Sequence, residues 1–267
     1  MLYLEVPCSE YLRPYVKYYY FLEGDIDRPL EYKCLPEGFP TMVFNFGMPF
    51  NVKSIYGPII KISKSYVSGQ NTSIYRMRFV QKVIVTGIVF AASGLHNLFS
   101  FYMKDLVNQR RPLDLMVGKT GNIIYDDLAN SPSIESKIIK IEDFLNSYYE
   151  TAKSRLSIID EAIDFINDRR GVVTIQEIVT KYKFSSRYLE KKFLEKVGVT
   201  PKLYSRIKRF STVTDRVSRM QKVDWQEIVL ENGFHDQSHF VKDFKKFNFI
   251  KPSQYHHQQQ DQTWFFE

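Results

Sequence analysis

Two stretches of this chain, TIQEIVTKYKFSSRYLEKKF (174–193) and DWQEIVLENGFHDQSHFVKDF (224–244), follow one plan about fifty residues apart. Gln176, Glu177, Ile178 and Val179 return as Gln226, Glu227, Ile228 and Val229, and Phe184 returns as Phe234. After one extra residue in the second copy, Leu189 answers to Phe240, Phe193 to Phe244, Pro201 to Pro252 and Tyr204 to Tyr255. A repeat at this period marks duplicated supersecondary units, and two copies are too few to stack into a solenoid. Each copy reads as a helix, a turn and a second helix.

The local chemistry supports that reading. Thr174 stands three residues before Glu177, and Asp224 three before Glu227, so a capping box is expected at the start of each first helix. Ile175, Ile178 and Val179 form a core stripe, Phe184 closes the turn, and Ser185 can cap the helix that follows. On that helix Leu189 and Phe193, four apart, face inward, which leaves Arg187, Glu190, Lys191 and Leu194 on the other side. In the second copy Phe240 and Phe244 face inward, leaving Gln237, Ser238, Val241 and Lys242 outward. Arg187 and Lys191 suit guanine O6/N7, Glu190 a cytosine amine, Gln237 adenine, Lys242 guanine or a phosphate, and Val241 a thymine methyl. Between the copies, Thr200-Pro201 opens a helix with a cap and a proline at its first position. Its apolar residues Ile207, Phe210, Val213, Val217 and Met220 fall at helical spacing. Some twenty helical residues span about 30 Å, close to the roughly 34 Å between successive major-groove segments on one face of DNA.

Charge divides the chain in the same sense. Residues 151–267 carry 21 Lys/Arg against 15 Asp/Glu, whereas residues 1–150 carry 16 against 15. A basic half beside a neutral one points to a polyanion partner for the first. Cys8 and Cys34 are the only cysteines, too few for a disulfide framework and without metal or redox spacing, which fits a reducing cytosol. No stretch approaches a membrane span, so no membrane partner is expected.

Residues 1 to about 100 read as strands and turns. TMVFNF (41–46) alternates, KVIVTGIVF (82–90) is a β-branched run broken by Gly87, and Gly-Pro, Pro-Glu-Gly and Ser-Gly pairs separate such runs. A small β-sandwich or barrel follows. From about 103 to 150 the pattern turns helical, ending in Ile134, Ile138, Ile141, Leu145 and Tyr148. This two-heptad seam can pack on the β-domain or serve a dimer. The polar residues 151–155 (TAKSR) link the two parts, and the tail ends in Trp264-Phe265-Phe266, aromatics suited to covering an apolar patch.

With these residues in place, the C-terminal hundred residues resemble the DNA-binding domain of the AraC/XylS family of transcription regulators. GFHDQSHFVKDFKK (233–246) with PSQY (252–255) follows the family's second-motif signature, and Gly198 to Tyr204 follows the G-V-T-P-x-x-Y ending of the first. The chain departs from the pattern at Phe249 and Lys251, where the family usually has glycine and then threonine or serine, and at Val213, where alanine is common. The N-terminal part is similar, less specifically, to the cupin-like sensor domains of some such regulators, through Leu35-Pro36-Glu37-Gly38, Phe44-Asn45-Phe46-Gly47, Gly57-Pro58 and GIVFAASGLHNLF (87–99). The resemblance implies an α+β chain of two domains. Residues 1–150 would be a small cupin-like β-barrel with helices, and residues 151–267 an all-α domain with two helix-turn-helix motifs joined by a helix. It also implies double-stranded DNA, RNA polymerase, a small-molecule effector and a second copy of the chain as partners, with no cofactor.

Other chemistry finds little support. His96 is the only histidine before residue 235, so the ligand cluster of a metal-dependent cupin enzyme is not expected. His235 and His239 have helical zinc spacing but lie in the expected reading element, where groove contact or exposure is the better account. Tyr15, Tyr18, Tyr19, Tyr20, Phe21, Phe44, Phe46 and Phe90 suit β-domain packing, with a pocket lining as the alternative. Arg110-Arg111 and Arg169-Arg170 are basic pairs that suit solvent or phosphates. No phosphate loop or nucleophile elbow occurs, so no catalytic residue is expected. A second reading, from Leu194, Val241 and the terminal aromatics, is a module whose helical domain contacts protein.

Overall fold

The computed structural model describes residues 1–55 and 57–260, so the Trp264-Phe265-Phe266 tail lies outside the described residues. Ten strands among these come from the N-terminal part: β1 (Leu2–Pro7), β2 (Val16–Asp25), β3 (Leu30–Cys34), β4 (Thr41–Asn45), β5 (Phe50–Ser54), β6 (Ile59–Ile62), β7 (Ser65–Ser68), β8 (Tyr75–Phe79), β9 (Lys82–Phe90) and β10 (Arg110–Pro112). Their antiparallel ladders make a six-stranded sheet, β1-β2-β9-β4-β7-β10, and a four-stranded sheet, β3-β8-β5-β6. The two-residue period of a strand sorts side chains between two cores. On β9, Val83 and Val85 pack with Phe50, Val52 and Phe79 of the smaller sheet, while Ile88 and Phe90 turn to a core shared with the helices. At Gly87 a Cβ would stand 2.0 Å from Cε1 of Tyr20, so only glycine lets that ring cross the strand.

Helices cover the outer face of the larger sheet. They are α1 (Gly94–Phe99), α2 (Leu113–Val117), α3 (Lys119–Ala129) and the long α4 (Ile134–Lys153), whose N-cap Ser133 forms a capping box with Ser136. The seam on α4 packs here. Ile141 and Leu145 are fully buried in the sheet–helix core, with Ile134, Ile138 and Tyr148 against its edge. The segment expected to be helical from about 103 also contains β10, a three-residue strand whose pairing partners on β7 lie some forty residues upstream. Residues 151–155 are tied down: Ala152 is fully buried, and Arg155 Nη1 donates to the carbonyls of Asn97 and Leu98 at 2.8 and 3.0 Å.

The remaining helices are α5 (Ile158–Asp168), α6 (Ile175–Tyr182), α7 (Ser186–Lys196), α8 (Pro201–Ser218), α9 (Trp225–Glu231), α10 (Gln237–Asn248) and α11 (Pro252–Gln260). They enclose two cores, one per copy of the repeat. The first holds Ile163, Ile178, Leu189, Phe193 and Tyr204, and the second Ile207, Phe210, Ile228, Phe240, Phe244 and Phe247. Burial of each such side chain contributes about 1.5–3 kcal/mol. Helix α8 feeds both cores, and Leu203 touches both. Among the described residues no helix is long and apolar enough to cross a membrane.

Candidate nucleic-acid interface

Each copy builds its outward helix from a cap, a turn and an apolar anchor. In the first, Thr174 Oγ1 accepts from the Glu177 amide at 3.1 Å and Glu177 returns the bond to the Thr174 amide at 2.7 Å, the expected capping box. Lys183 then turns the chain at φ 56°, and Ser185 caps α7 by accepting from the Tyr188 amide. In the second copy the box is only half made. Asp224 accepts from the amides of Gln226 and Glu227, but Glu227 forms no reciprocal bond and lies 3.7 Å from Arg216 instead. A carboxylate at the cap repels another reaching back toward it, whereas the guanidinium attracts it. Gly233, φ 64°, makes this copy's turn, and Asp236 caps α10 through the His239 amide at 2.7 Å. Thr200 caps α8 as expected, with Pro201 at its first position.

With Leu189 and Phe193 buried, Arg187, Glu190 and Lys191 are exposed on α7 and Leu194 is half-buried. On α10, Phe240 and Phe244 are buried, Gln237, Ser238 and Lys242 are exposed, and Val241 packs against the second core. All six polar candidates therefore stand on the solvent faces of two capped helices. Of the histidines, His235 lies 2.9 Å from Asp236 and His239 3.7 Å from Asp243. No group of three or more metal-ligating side chains occurs among the described residues. Arg169 pairs with Glu177 at 3.6 Å and stacks on Phe165. Arg110 departs from its expected solvated place, because β10 carries it between the sheets, where it is 6% exposed.

Sequence reasoning missed the buried ionic groups behind the two reading helices. Asp160 Oδ2 accepts from Lys196 Nζ at 2.5 Å and from the Ser157 amide at 2.8 Å, while its Oδ1 accepts from Ser93 Oγ at 2.6 Å and Asn97 Nδ2 at 2.9 Å. One carboxylate thus caps α5, anchors α7 and joins both to the β-rich part. Burial pushes the Asp160 carboxyl up, but Lys196, Ser93 and Asn97 outweigh it and hold it below the usual carboxylate range. In the second copy Arg206 grips the buried Asp243 with two bonds, 2.6 and 3.0 Å, fixing α10 to α8. The signal was spacing: Lys196 is three residues from Phe193, and Asp243 three from Phe240, so both fall on the inward stripe.

Other contacts join the second-copy side to the sheets. The Ile74 amide donates to Phe247 O at 2.8 Å, Lys208 Nζ donates to Glu37 O at 3.1 Å and lies 4.0 Å over the Phe39 ring, and Leu35 packs on the second core. Burial, then Lys17 nearby, brings the Lys208 ammonium down to about 8.

Residues 178–258 match the family described as a helix-turn-helix domain, and residues 4–112 match a domain of unknown function, DUF6597. Comparison with curated proteins gives no match. Among solved structures, ToxT from Vibrio cholerae is similar at 14% identity, covering 90% of this chain and 98% of that one with a TM-score of 0.47. A structure of unsaturated fatty acid bound ToxT is similar at 16% identity, covering 88% and 94%, with a TM-score of 0.45. The AraC-like transcriptional activator CuxR is similar at 12% identity, covering 73% and 76%, with a TM-score of 0.31. The C-terminal part is a DNA-binding helix-turn-helix domain. Its two copies, their joining helix and the signature over Gly233–Lys246 and Pro252–Tyr255 fit that helix-turn-helix match and resemble the AraC-type pattern.

Proposed function

We propose that the chain reads two successive major-groove segments of double-stranded DNA, with Arg187, Glu190 and Lys191 of α7 in one and Gln237, Ser238 and Lys242 of α10 in the other. The observation that carries this is the pairing of two solvent-facing polar stripes on capped helices, held apart by the 18-residue α8, about 27 Å long. Residues 151–267 act as the reader, and residues 1–150 act as a sensor domain whose effector sets when the reader engages DNA. RNA polymerase is the partner through which the bound regulator acts. A homodimer, if formed, uses a surface other than the α4 seam, which packs on the β-rich core. The protein-contact reading has less support, because Val241 and Leu194 are half-buried rather than presented to a partner.

In-vitro selection from random duplexes with the full-length protein tests the reading. Two enriched blocks about one helical turn apart are expected. If neither the full chain nor residues 151–267 enrich any sequence, the proposal fails.

A further inference from the structure

The larger sheet ends on one side in β1, and among the described residues no strand pairs with its outer edge. An open edge offers its amides and carbonyls to any other strand, and sheets ordinarily guard against this with charge, proline or shortness. The other three sheet ends are guarded in that way: β10 is short and closes on Pro112, β3 carries Glu31 and Lys33, and β6 carries Lys61. β1 has Glu5 as its one charge and no proline before its last position, Pro7. Leu2, Tyr3 and Leu4 are 55, 43 and 39% exposed, so consecutive large side chains stand along this edge on both faces of the sheet.

The strand is complementary to itself. Its two-residue period puts Leu2 and Leu4 on the face where Val6 packs against the sheet–helix core. Tyr3 and Glu5 share the other face, where the Tyr3 ring lies 6.2 Å from that of Tyr20 and its hydroxyl donates to Glu5 Oε1 at 2.5 Å. When two copies of one strand pair antiparallel about a two-fold axis, residues of like parity must stand opposite, because only alternate residues turn their amide and carbonyl outward. The axis then falls at Tyr3, Leu4 or Glu5. At Glu5 two carboxylates would be directly opposed, which is destabilising, and at Tyr3 only Leu2 to Leu4 of each strand overlap. At Leu4 every residue from Leu2 to Val6 finds a partner: Leu2 opposes Val6 of the second copy, Tyr3 opposes its Glu5, and the two Leu4 side chains meet on the axis.

We propose that β1 is a homodimer interface, in which two copies of the chain pair antiparallel through Leu2–Val6 with Leu4 on the two-fold axis and join two six-stranded sheets into one. Both faces gain in this register. Leu2, Leu4 and Val6 continue as an apolar stripe across the junction, and the tyrosine–glutamate bond made within each strand has the same two groups opposed between strands. The contact is isologous, so it closes after two copies and covers both open edges, leaving only the guarded end at β10. A single strand pair is smaller than the roughly 1,200–2,000 Å² of a standard interface, which makes the dimer dependent on concentration. The pairing gives a homodimer a surface other than the α4 seam and stands independently of the DNA reading.

The test is sedimentation velocity on the full-length protein over a concentration series without DNA, where a monomer–dimer equilibrium is expected. Leu4→Lys and Leu4→Glu each set like charges opposite one another on the axis and should each weaken the dimer at least about tenfold. An equimolar mixture of the two variants should restore it, because lysine then faces glutamate. Leu4→Cys reads the same register should the charged variants fail to fold. Opposed Cα atoms in an antiparallel pair, about 4.5–5.5 Å apart, are within disulfide reach, so mild oxidation should link Leu4→Cys copies far more than Leu2→Cys copies. A monomer at every concentration would overturn the proposal and leave the edge to a strand of some other protein. Dimers indifferent to both charges, a mixture that stays monomeric, or equal cross-linking of the two cysteine variants would each overturn it as well. Growth beyond the dimer that Leu4→Lys abolishes would mean head-to-tail pairing onto β10 and would overturn the two-fold contact.

Discussion

The two copies of the helix-turn-helix share a plan but not a mode of attachment. The first is joined to the β-rich part through Asp160, which ties Lys196 of α7 to Ser93 and Asn97, and through Gly198, where a Cβ would meet Met103 O at 2.6 Å. The second is held mainly by its own Arg206–Asp243 pair and touches the sheets through the Ile74–Phe247 bond and the Lys208–Glu37 contact. A repeated motif therefore leaves one reader built into the neighbouring domain and the other leaning on it. Any signal from the sheets has different purchase on the two.

The largest expected effect tests the built-in tie. Asp160→Ala strands the buried Lys196 and should cost about 3–5 kcal/mol in denaturant unfolding, as breaking a buried pair does. Asp243→Ala should cost less, because Arg206 retains some solvent contact. A loss under about 1 kcal/mol for Asp160→Ala would erase the proposed contrast.

Base contacts come next. Arg187→Ala and Gln237→Ala should each weaken the cognate site by about 1–3 kcal/mol while sparing random DNA. Equal losses on both duplexes, measured by fluorescence anisotropy, would remove the residue from the base-reading set.

The two attachments should also respond to opposite ends of the pH scale. The folded Asp160 carboxyl titrates below its unfolded value, so its contribution is complete above the unfolded value and is lost as pH falls through the lower, folded one. Lys208, at about 8 when folded against 10.5, leaves the unfolded chain holding more protons between those values. Stability should therefore rise with pH across that window. Lys208→Met should flatten the alkaline rise and Asp160→Asn the acid loss. Unchanged slopes in either variant would detach the corresponding contact from its assigned titration.

The smallest effect concerns the turns. Lys183 takes φ 56° where the second copy has Gly233 at φ 64°. Lys183→Gly should stabilise by up to about 1 kcal/mol through relief of left-handed strain. Gly233→Ala should destabilise, since its Cβ would meet Val172 Cγ1 at 2.4 Å as well. A melting temperature lowered by Lys183→Gly would show that the lysine contributes more than its backbone costs.

Much of the reading domain was legible because its signals are local. Caps at Thr174, Ser185 and Thr200 and inward residues at Leu189, Phe193, Phe240 and Phe244 follow from spacings within one or two turns. β4 and β9 were legible in the same way, through period-two alternation and β-branching. Pairings across the chain were not. Arg110 reads as half of a basic pair until β10 finds β7, and nothing near Asp160 in the chain announces its bond to Lys196, thirty-six residues on. The half-made box at Asp224 failed for the same reason, since Glu227 is drawn to Arg216 on another helix. The left-handed Phe249, φ 63°, gives a physical reason for the glycine usual there in the family.

Helix α8 constrains how the sequence can change. Because it enters both cores as one uninterrupted rod, inserting a single residue within it would turn the second reader by about 100° and shift it by about 1.5 Å. Such a change would spoil the phase of both copies at once. On the proposed reading, new operators would be reached by exchanging side chains on α7 and α10, with the distance between their half-sites inherited unchanged.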